Sequence, residues 1–315
     1  MALLTEYALT PGIFNVRSYS TEEVAAIRLN NLKDVLLHQG LVRNLRNGGW
    51  LETVQHDDFC LHFAGKELLK KIIKQNRLHN FPAVLAHKPE TDDDWCCEAL
   101  ASHSKNPDKP LEGVITTASA GENFKKNRMV SAIDKLGSAS FWDPQKTSVR
   151  LNRKMAEYIN HLRLLLERSN SIMFIDPHLD PTRRQYQNFI KIIEVICERT
   201  RMPLVEIHRV HYFGSGSKRK MVPTEEWEKK FKNSFSPICS NAGLKIKVLI
   251  WDDFHDRYLI SDLMGISVLN GFDESKKTEE QTTWTRLSRN VRDDIQREFD
   301  TASHQHALVG SFSLP

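Results

Sequence analysis

The stretch LKIKVLIWDDFHDRYLISD, residues 244–262, sets the reading of the second half of the chain. Its apolar run, broken only by Lys245 and Lys247, has the character of a strand buried in a sheet. Beyond Trp251 come four acids, a histidine and an arginine around a second short apolar core, YLIS. If residues 257–261 are extended, alternation sends Arg257, Leu259 and Ser261 to one face and leaves His255 at the strand mouth on the same side. His255 and Arg257 then point at one ligand. A neutral imidazole attacks phosphorus or shuttles protons near neutral pH, and a guanidinium grips two phosphate oxygens. An aspartate nearby, such as Asp262, orients the ring or balances the charge. The plainer reading is a salt-bridge cluster at a strand edge; the flanking sequence favours the first.

With 315 residues, 40% of them hydrophobic, the chain is long for one domain and natural for two. The break falls in FWDPQKTSV, residues 141–149, giving a domain over 1–145 and another over 146–315. A net charge of +4 and a pI of about 8.7 permit nucleic acid without demanding it. No apolar run reaches the roughly twenty residues of a membrane span, and MALLTEYALT lacks the basic start and apolar core of a secretory signal, so a cytoplasmic location with no membrane contact is expected. Five cysteines (Cys60, Cys96, Cys97, Cys197, Cys239) form an odd set without paired CxxC knuckles, against a disulfide framework or a structural zinc site. HExxH, GxxxxGK[ST], GxGxxG and GxSxG are all absent, so no metal and no cofactor is called for.

Along the first half, a helix is expected from Ser20 or Thr21, with Glu23 in its first turn, Gly40 beyond its end, and Val24, Ile27, Leu32, Val35 and Leu36 turned inward. Another spans residues 66–77, with Leu68, Leu69, Ile72 and Ile73 at helical spacing, and EGVITTA reads as a strand. These elements make a smaller mixed α+β domain without a recognisable role. Past the break, a helix from Arg150 carries Leu151, Met155, Tyr158, Ile159, Leu162, Leu165 and Leu166 in one stripe. SIMFID is a strand, residues 183–201 a helix, PLVEIHRVHY a strand, and residues 224–241 a helix with Trp227, Phe231 and Phe235 four apart. Strands alternating with amphipathic helices give an α/β sheet with helices on both faces, which binds ligands at the carboxyl ends of its strands. Those ends carry Asp176 and His178, then His208 and His211, then Asp252, Asp253 and His255. Of His208 and His211 one belongs to the site and the other to the structure; His178 reads as a turn residue, and Asp176 equally as a helix cap or a site carboxylate. The loop FGSGSKRKMVP, residues 213–223, is a solvated loop on its composition, yet its position beside the site lets Lys218, Arg219 and Lys220 fold over a phosphate backbone.

The order His255, one residue, Arg257, four residues, Asp262 resembles the H-x-K-x(4)-D signature of the phospholipase D superfamily, whose members include lipases, metal-independent nucleases and phosphotransferases. The preceding KIKVLIW strand and the SIMFIDPHLD strand and turn are similar to that fold as well, over roughly residues 150–300. By this resemblance His255 is the nucleophile that forms a phosphohistidine, Arg257 takes the phosphate-binding role of the lysine, and Asp262 is the supporting acid. Arginine changes reach and proton chemistry relative to lysine. The family's Gly-Ser-x-Asn, seven residues after the aspartate, is replaced by Leu269-Asn270-Gly271-Phe272, where Asn270 supplies the polar group. Two such motifs face each other in the family. His161-Leu-Arg163 and His103-Ser-Lys105 do not supply the second, so a homodimer pairing two copies of His255 completes the site. The resemblance thus implies an α/β phospholipase D-like domain acting as a metal-independent phosphodiesterase. Its substrate is expected to be nucleic acid, DNA or RNA, in a setting such as microbial antiviral defence. The alternatives are a silent phosphate- or nucleic-acid-binding module within a larger assembly of protein subunits, and a phospholipid-handling enzyme.

Overall fold

The computed structural model describes residues 3–214 and 216–315; Met1, Ala2 and Ser215, the last of them within the 213–223 loop, lie outside. Two units divide the described residues, Leu4–Lys146 and, together with Leu3, Thr147–Pro315.

In the first unit, β1 (Thr5–Leu9), α1 (Glu22–Gln39), β2 (Gly40–Asn44), α2 (Gly49–Gln55), α3 (Phe63–Lys74), β3 (Leu78–Asn80), α4 (Asp92–Ser104), β4 (Gly113–Thr116), α5 (Ala118–Asn123) and β5 (Val130–Ala132) follow one another. The strands are ordered β3-β2-β1-β4-β5 and every pair is parallel. Parallel neighbours need crossover connections, which the helices supply, so the α+β arrangement expected here gives way to α/β. The sequence hid the central strands because each carries a charge: Glu6 of β1 and Arg43 of β2 are both buried and paired through one carboxylate oxygen, Nε to Oε2 at 3.1 Å. A buried pair that is also hydrogen-bonded escapes most of the cost of burying either charge alone.

Thr21 caps α1 by accepting from the Val24 backbone N–H at 3.3 Å. The helix buries Ala25, Leu29, Leu32 and Leu36, while Val24 and Ile27 face solvent. The apolar stripe is thus rotated from the one expected. α3 starts three residues before the expected Lys66, because the His62 imidazole accepts from the Ala64 N–H.

The second unit contains β6 (Ser148–Asn152), α6 (Met155–Arg168), β7 (Ser171–Ile175), α7 (Ile190–Cys197), β8 (Leu204–Val210), β9 (Tyr212–Phe213), β10 (Lys220–Met221), α8 (Thr224–Ala242), β11 (Ile246–Trp251), β12 (Tyr258–Ser261), β13 (Gly265–Val268), β14 (Gln281–Arg286), α9 (Arg289–Glu298) and β15 (Leu308–Leu314). Among the described residues its main sheet has the order β15-β11-β8-β7-β12-β13-β14-β6, with β9 and β10 as a separate hairpin. β7, β8 and β11 are mutually parallel and the remaining pairs antiparallel. This is the α/β mixed sheet expected, with helices on both faces. Phe174 meets Phe189 and Phe272 edge-on at 5.1 and 5.3 Å on one face. Met173, Ile175, Leu249 and Trp251 pack on the other with Ile295 of α9 and Phe299.

Residues 150–152 form the edge strand β6, not the start of a helix, because β14 offers them an open antiparallel partner. The helix expected over 183–201 shrinks to α7, since Asp180 holds the preceding residues in a turn, accepting from both the backbone and hydroxyl of Thr182. The topology fixes where the site falls. β7, β8 and β11 end on one edge of the sheet, and the chain leaving Trp251 must cross the ends of β8 and β7 before entering β12 antiparallel to β7. Residues 252–257 therefore lie along the carboxyl edge.

Candidate functional site

The crossing segment carries His255 and Arg257 to the end of β7. Because Tyr258 pairs with Ile175, Arg257 arrives beside Asp176, its Nε 3.8 Å from Oδ1, while its Nη1 donates to the His255 carbonyl at 3.3 Å. The His255 ring itself stands out, with three quarters of its side-chain surface exposed. Its Nε2 is 4.0 Å from Asp253 Oδ2.

Asp176 is fully buried and heavily used. It accepts from the His178 N–H at 2.9 Å, the Tyr186 hydroxyl at 3.1 Å and the Phe272 N–H at 3.1 Å. Burial pushes its pKa up, against the opposing pull of these donors and of Arg257. Asp176 thus both caps the turn, through the His178 N–H, and stands beside Arg257. The turn that brings Phe272 to it has Gly271 at φ +72°, and a Cβ there would meet Asp176 Oδ2 at 2.2 Å and Arg257 Cδ at 3.0 Å. Asn270 is half-buried in this turn.

Asp262 is not brought to the other two. It lies past the far end of β12, where its Oδ1 accepts from the Asn170 and Ser171 N–H groups at 2.9 and 3.4 Å and so closes the start of β7. A strand rises about 3.3 Å per residue, so four residues of β12 separate it from Arg257 by well over 10 Å. His208 is likewise elsewhere. It is completely buried on the α9 face, stacked on Trp251 at 5.9 Å and edge-on to Phe299, and its Nδ1 accepts from the Trp251 indole at 3.1 Å. That bond fixes the tautomer with Nε2 protonated, 3.4 Å from Glu206 Oε2. Burial lowers its pKa, partly offset by Glu206.

His211, at the strand end, contacts the Trp251 carbonyl through Nδ1 at 3.1 Å. In the hairpin loop, Lys218 and Lys220 are exposed, but Arg219 is committed: it pairs with Asp253 Oδ2 at 3.0 Å and lies 4.2 Å over the Tyr212 ring. Tyr212 also donates to Asp253. Desolvation raises the Asp253 pKa, but the Tyr212 hydroxyl, Arg219 and His255 outweigh it and hold the carboxyl below its usual range. A carboxylate clamped in this way faces His255, the position the sequence reading gave to Asp262.

Three further cations surround the site. Arg209 is buried and spends its donors on the carbonyls of Val210, Leu179 and Tyr212 at 2.8, 2.7 and 3.3 Å, its guanidinium lying over Trp227. Arg183 and Lys230 both approach Asp180. His178, half-buried at the end of β7, responds to two of them: desolvation first, then Arg257, Arg209, Arg183 and His255, drive its pKa down to about 4. These residues were missed for identifiable reasons. β8 carries polar residues on both faces, Glu206 and His208 on one and Arg209 on the other, so its sequence does not say which of the two faces turns toward the site. The signal at Arg183 was present, in the positive run after DPHLDP.

No helix among the described residues is long and apolar enough to cross a membrane. No protein-family profile matches the chain, and no curated protein matches it in sequence. Among solved structures, the chain is similar to TrmBL2, described as an archaeal chromatin protein with a novel mode of DNA binding, at 13% identity and a TM-score of 0.31, over 78% of this chain and 82% of that one. It is also similar to the phosphatidylserine synthase of Haemophilus influenzae Rd KW20, at 11% identity and a TM-score of 0.32, over 90% and 86% of the two chains. At these scores neither likeness carries an argument about activity.

Proposed function

We propose that the second unit is a metal-independent phosphodiesterase acting on nucleic acid, with His255 as nucleophile and Arg257 as the phosphate grip. The observation that carries this reading is the placement, at one sheet edge, of an exposed imidazole beside Arg257, with Asp253 facing the ring. Such a site attracts an anion and presents it a nucleophile. A neutral His255 forms a bond to phosphorus as the P–O bond to the leaving oxygen breaks, and that oxygen takes a proton from a second histidine. Water then attacks the phosphohistidine, its proton returns to the second histidine, and His255 is released. His178 is a poor donor for the first step, because burial and its cationic neighbours keep it neutral. A second copy of His255 across a twofold axis is the better one, and the outward exposure of the ring suits that arrangement.

Cleavage of single- and double-stranded DNA and RNA in EDTA, beside a His255→Ala control, tests the reading. Cleavage that survives chelation and vanishes in the variant supports it; binding without cleavage by either protein sinks it in favour of a silent phosphate-binding module. Sedimentation showing only monomers at working concentration would remove the shared site. A role in microbial defence against foreign nucleic acid is a setting consistent with such an activity.

A further inference from the structure

Arg183 and Lys230 come from different segments, the turn after β7 and the middle of α8, yet meet at one place. Arg183 Nε is 3.7 Å and Lys230 Nζ 3.8 Å from the same oxygen, Asp180 Oδ2, whose side chain is only 2% exposed. The other oxygen of Asp180 is occupied by Thr182. Both cations also lie against the Phe213 ring, at 4.6 and 4.3 Å from its centroid, which fixes their positions further. Arg257 adds a further cation at Asp176, the other buried acid of this turn, while the buried Arg209 holds the Leu179 carbonyl just before Asp180 at 2.7 Å. Glu226 reaches Lys230 from the exposed rim at 3.5 Å. Two cations thus share the inner oxygen of Asp180, and Arg183 keeps 42% of its side chain open to solvent. Asp176 and Asp180 stand four residues apart in the turn after β7, where the Leu179 N–H bonds the Asp176 carbonyl at 3.3 Å, so the cations at Asp180 and Arg257 at Asp176 are neighbours.

We propose that Arg183 and Lys230 form a second phosphate grip beside Arg257, so that the ligand is a strand with at least two successive phosphodiesters. This rests on the phosphodiesterase reading above and adds to it a minimum length, two successive phosphodiesters of one strand. The Phe213 ring is occupied by the two cations rather than left open for a base, so the grip reads backbone charge and not sequence.

The test uses the full chain carrying His255→Ala, in EDTA, with fluorescein-labelled oligothymidylates of two, three and six nucleotides. Fluorescence anisotropy is expected to show an affinity step of about tenfold on passing from one phosphodiester to two, the size of one charge-assisted contact. Adding Arg183→Gln with Lys230→Gln removes the step, and Arg183→Lys restores part of it, which separates lost charge from a misfolded turn. A step unchanged by the double substitution overturns the proposal, as does binding to phosphatidylglycerol vesicles with none to the oligonucleotides. Hydrolysis of bis(p-nitrophenyl) phosphate by the unsubstituted chain, lost in His255→Ala, reports on the phosphodiesterase reading by itself. If that activity is present and the length step absent, the enzyme stands and the second grip falls.

Discussion

Replacing Gly271 with alanine tests how tightly the site is built. Two effects add. The left-handed φ of +72° costs a side chain about 1 kcal/mol. The new Cβ would also lie 2.2 Å from Asp176 Oδ2 and 3.0 Å from Arg257 Cδ, and forced overpacking costs about 1–3 kcal/mol more. Asp176 has little freedom to yield, because the His178 and Phe272 N–H groups and the Tyr186 hydroxyl hold it. The sum is about 2–4 kcal/mol, or a fall of roughly 4–16 °C in the melting temperature of a unit this size. Gly243 supplies the control: its φ is +71° and nothing lies within 4 Å of a Cβ built there, so its alanine variant pays the conformational cost alone, about 1 kcal/mol. Calorimetry on both variants reads the difference directly. Since Asp176 and Arg257 move together, Gly271→Ala should also weaken binding of inorganic phosphate, measured by titration calorimetry, while Gly243→Ala leaves it unchanged. Equal destabilisation by the two alanines would show that the contact at Asp176 is not close, and the account of the site would fail with it.

Other outcomes follow from the same geometry. Asp262→Ala should destabilise the second unit by about 1 kcal/mol through the loss of its bonds to Asn170 and Ser171, with phosphate affinity intact; a collapse of affinity without loss of stability would return Asp262 to the site. His178, held to about 4 in the folded chain against an ordinary 6.5, binds a proton less readily folded than unfolded. Its contribution therefore erodes stability as pH falls from about 6.5 to 4 and saturates below. NMR titration of the imidazole should show it neutral down to about pH 4 and pulled upward by added phosphate; a free-protein midpoint near 6.5 would contradict the cationic surroundings. Tyr212→Phe removes one of the two holds on Asp253 and should let the pKa of that carboxyl rise, read by carbon-13 NMR titration, whereas an unchanged titration would deny the Tyr212 hydroxyl any part in holding the carboxylate.

What the sequence made legible was set by periodicity. The apolar runs of β7, β8 and β11, and the spacing of Trp227, Phe231 and Phe235 on α8, identify the second sheet and its covering helix, and the position of His255 and Arg257 follows from the end of β11. The parity of a strand buried on both faces was not legible, which exchanged His208 for Arg209. Nor was the length of β12: the H-x-R-x(4)-D spacing reads as one site, yet a four-residue strand places its two ends on opposite edges of the sheet. In the first unit, the Glu6–Arg43 pair disguised two central strands as polar segments.

The sharing of one carboxylate among distant segments has a consequence for inheritance. Asp176 is touched by residues 178, 186, 257 and 272 and is crowded by position 271, so a change at any of these alters the conditions at the others. In lineages that carry this fold, substitutions at 176, 257 and 271 should arrive together or in a forced order, with glycine at 271 retained wherever an acid occupies 176. A lineage with lysine in place of Arg257 is then the place to look for a compensating change at the end of β7.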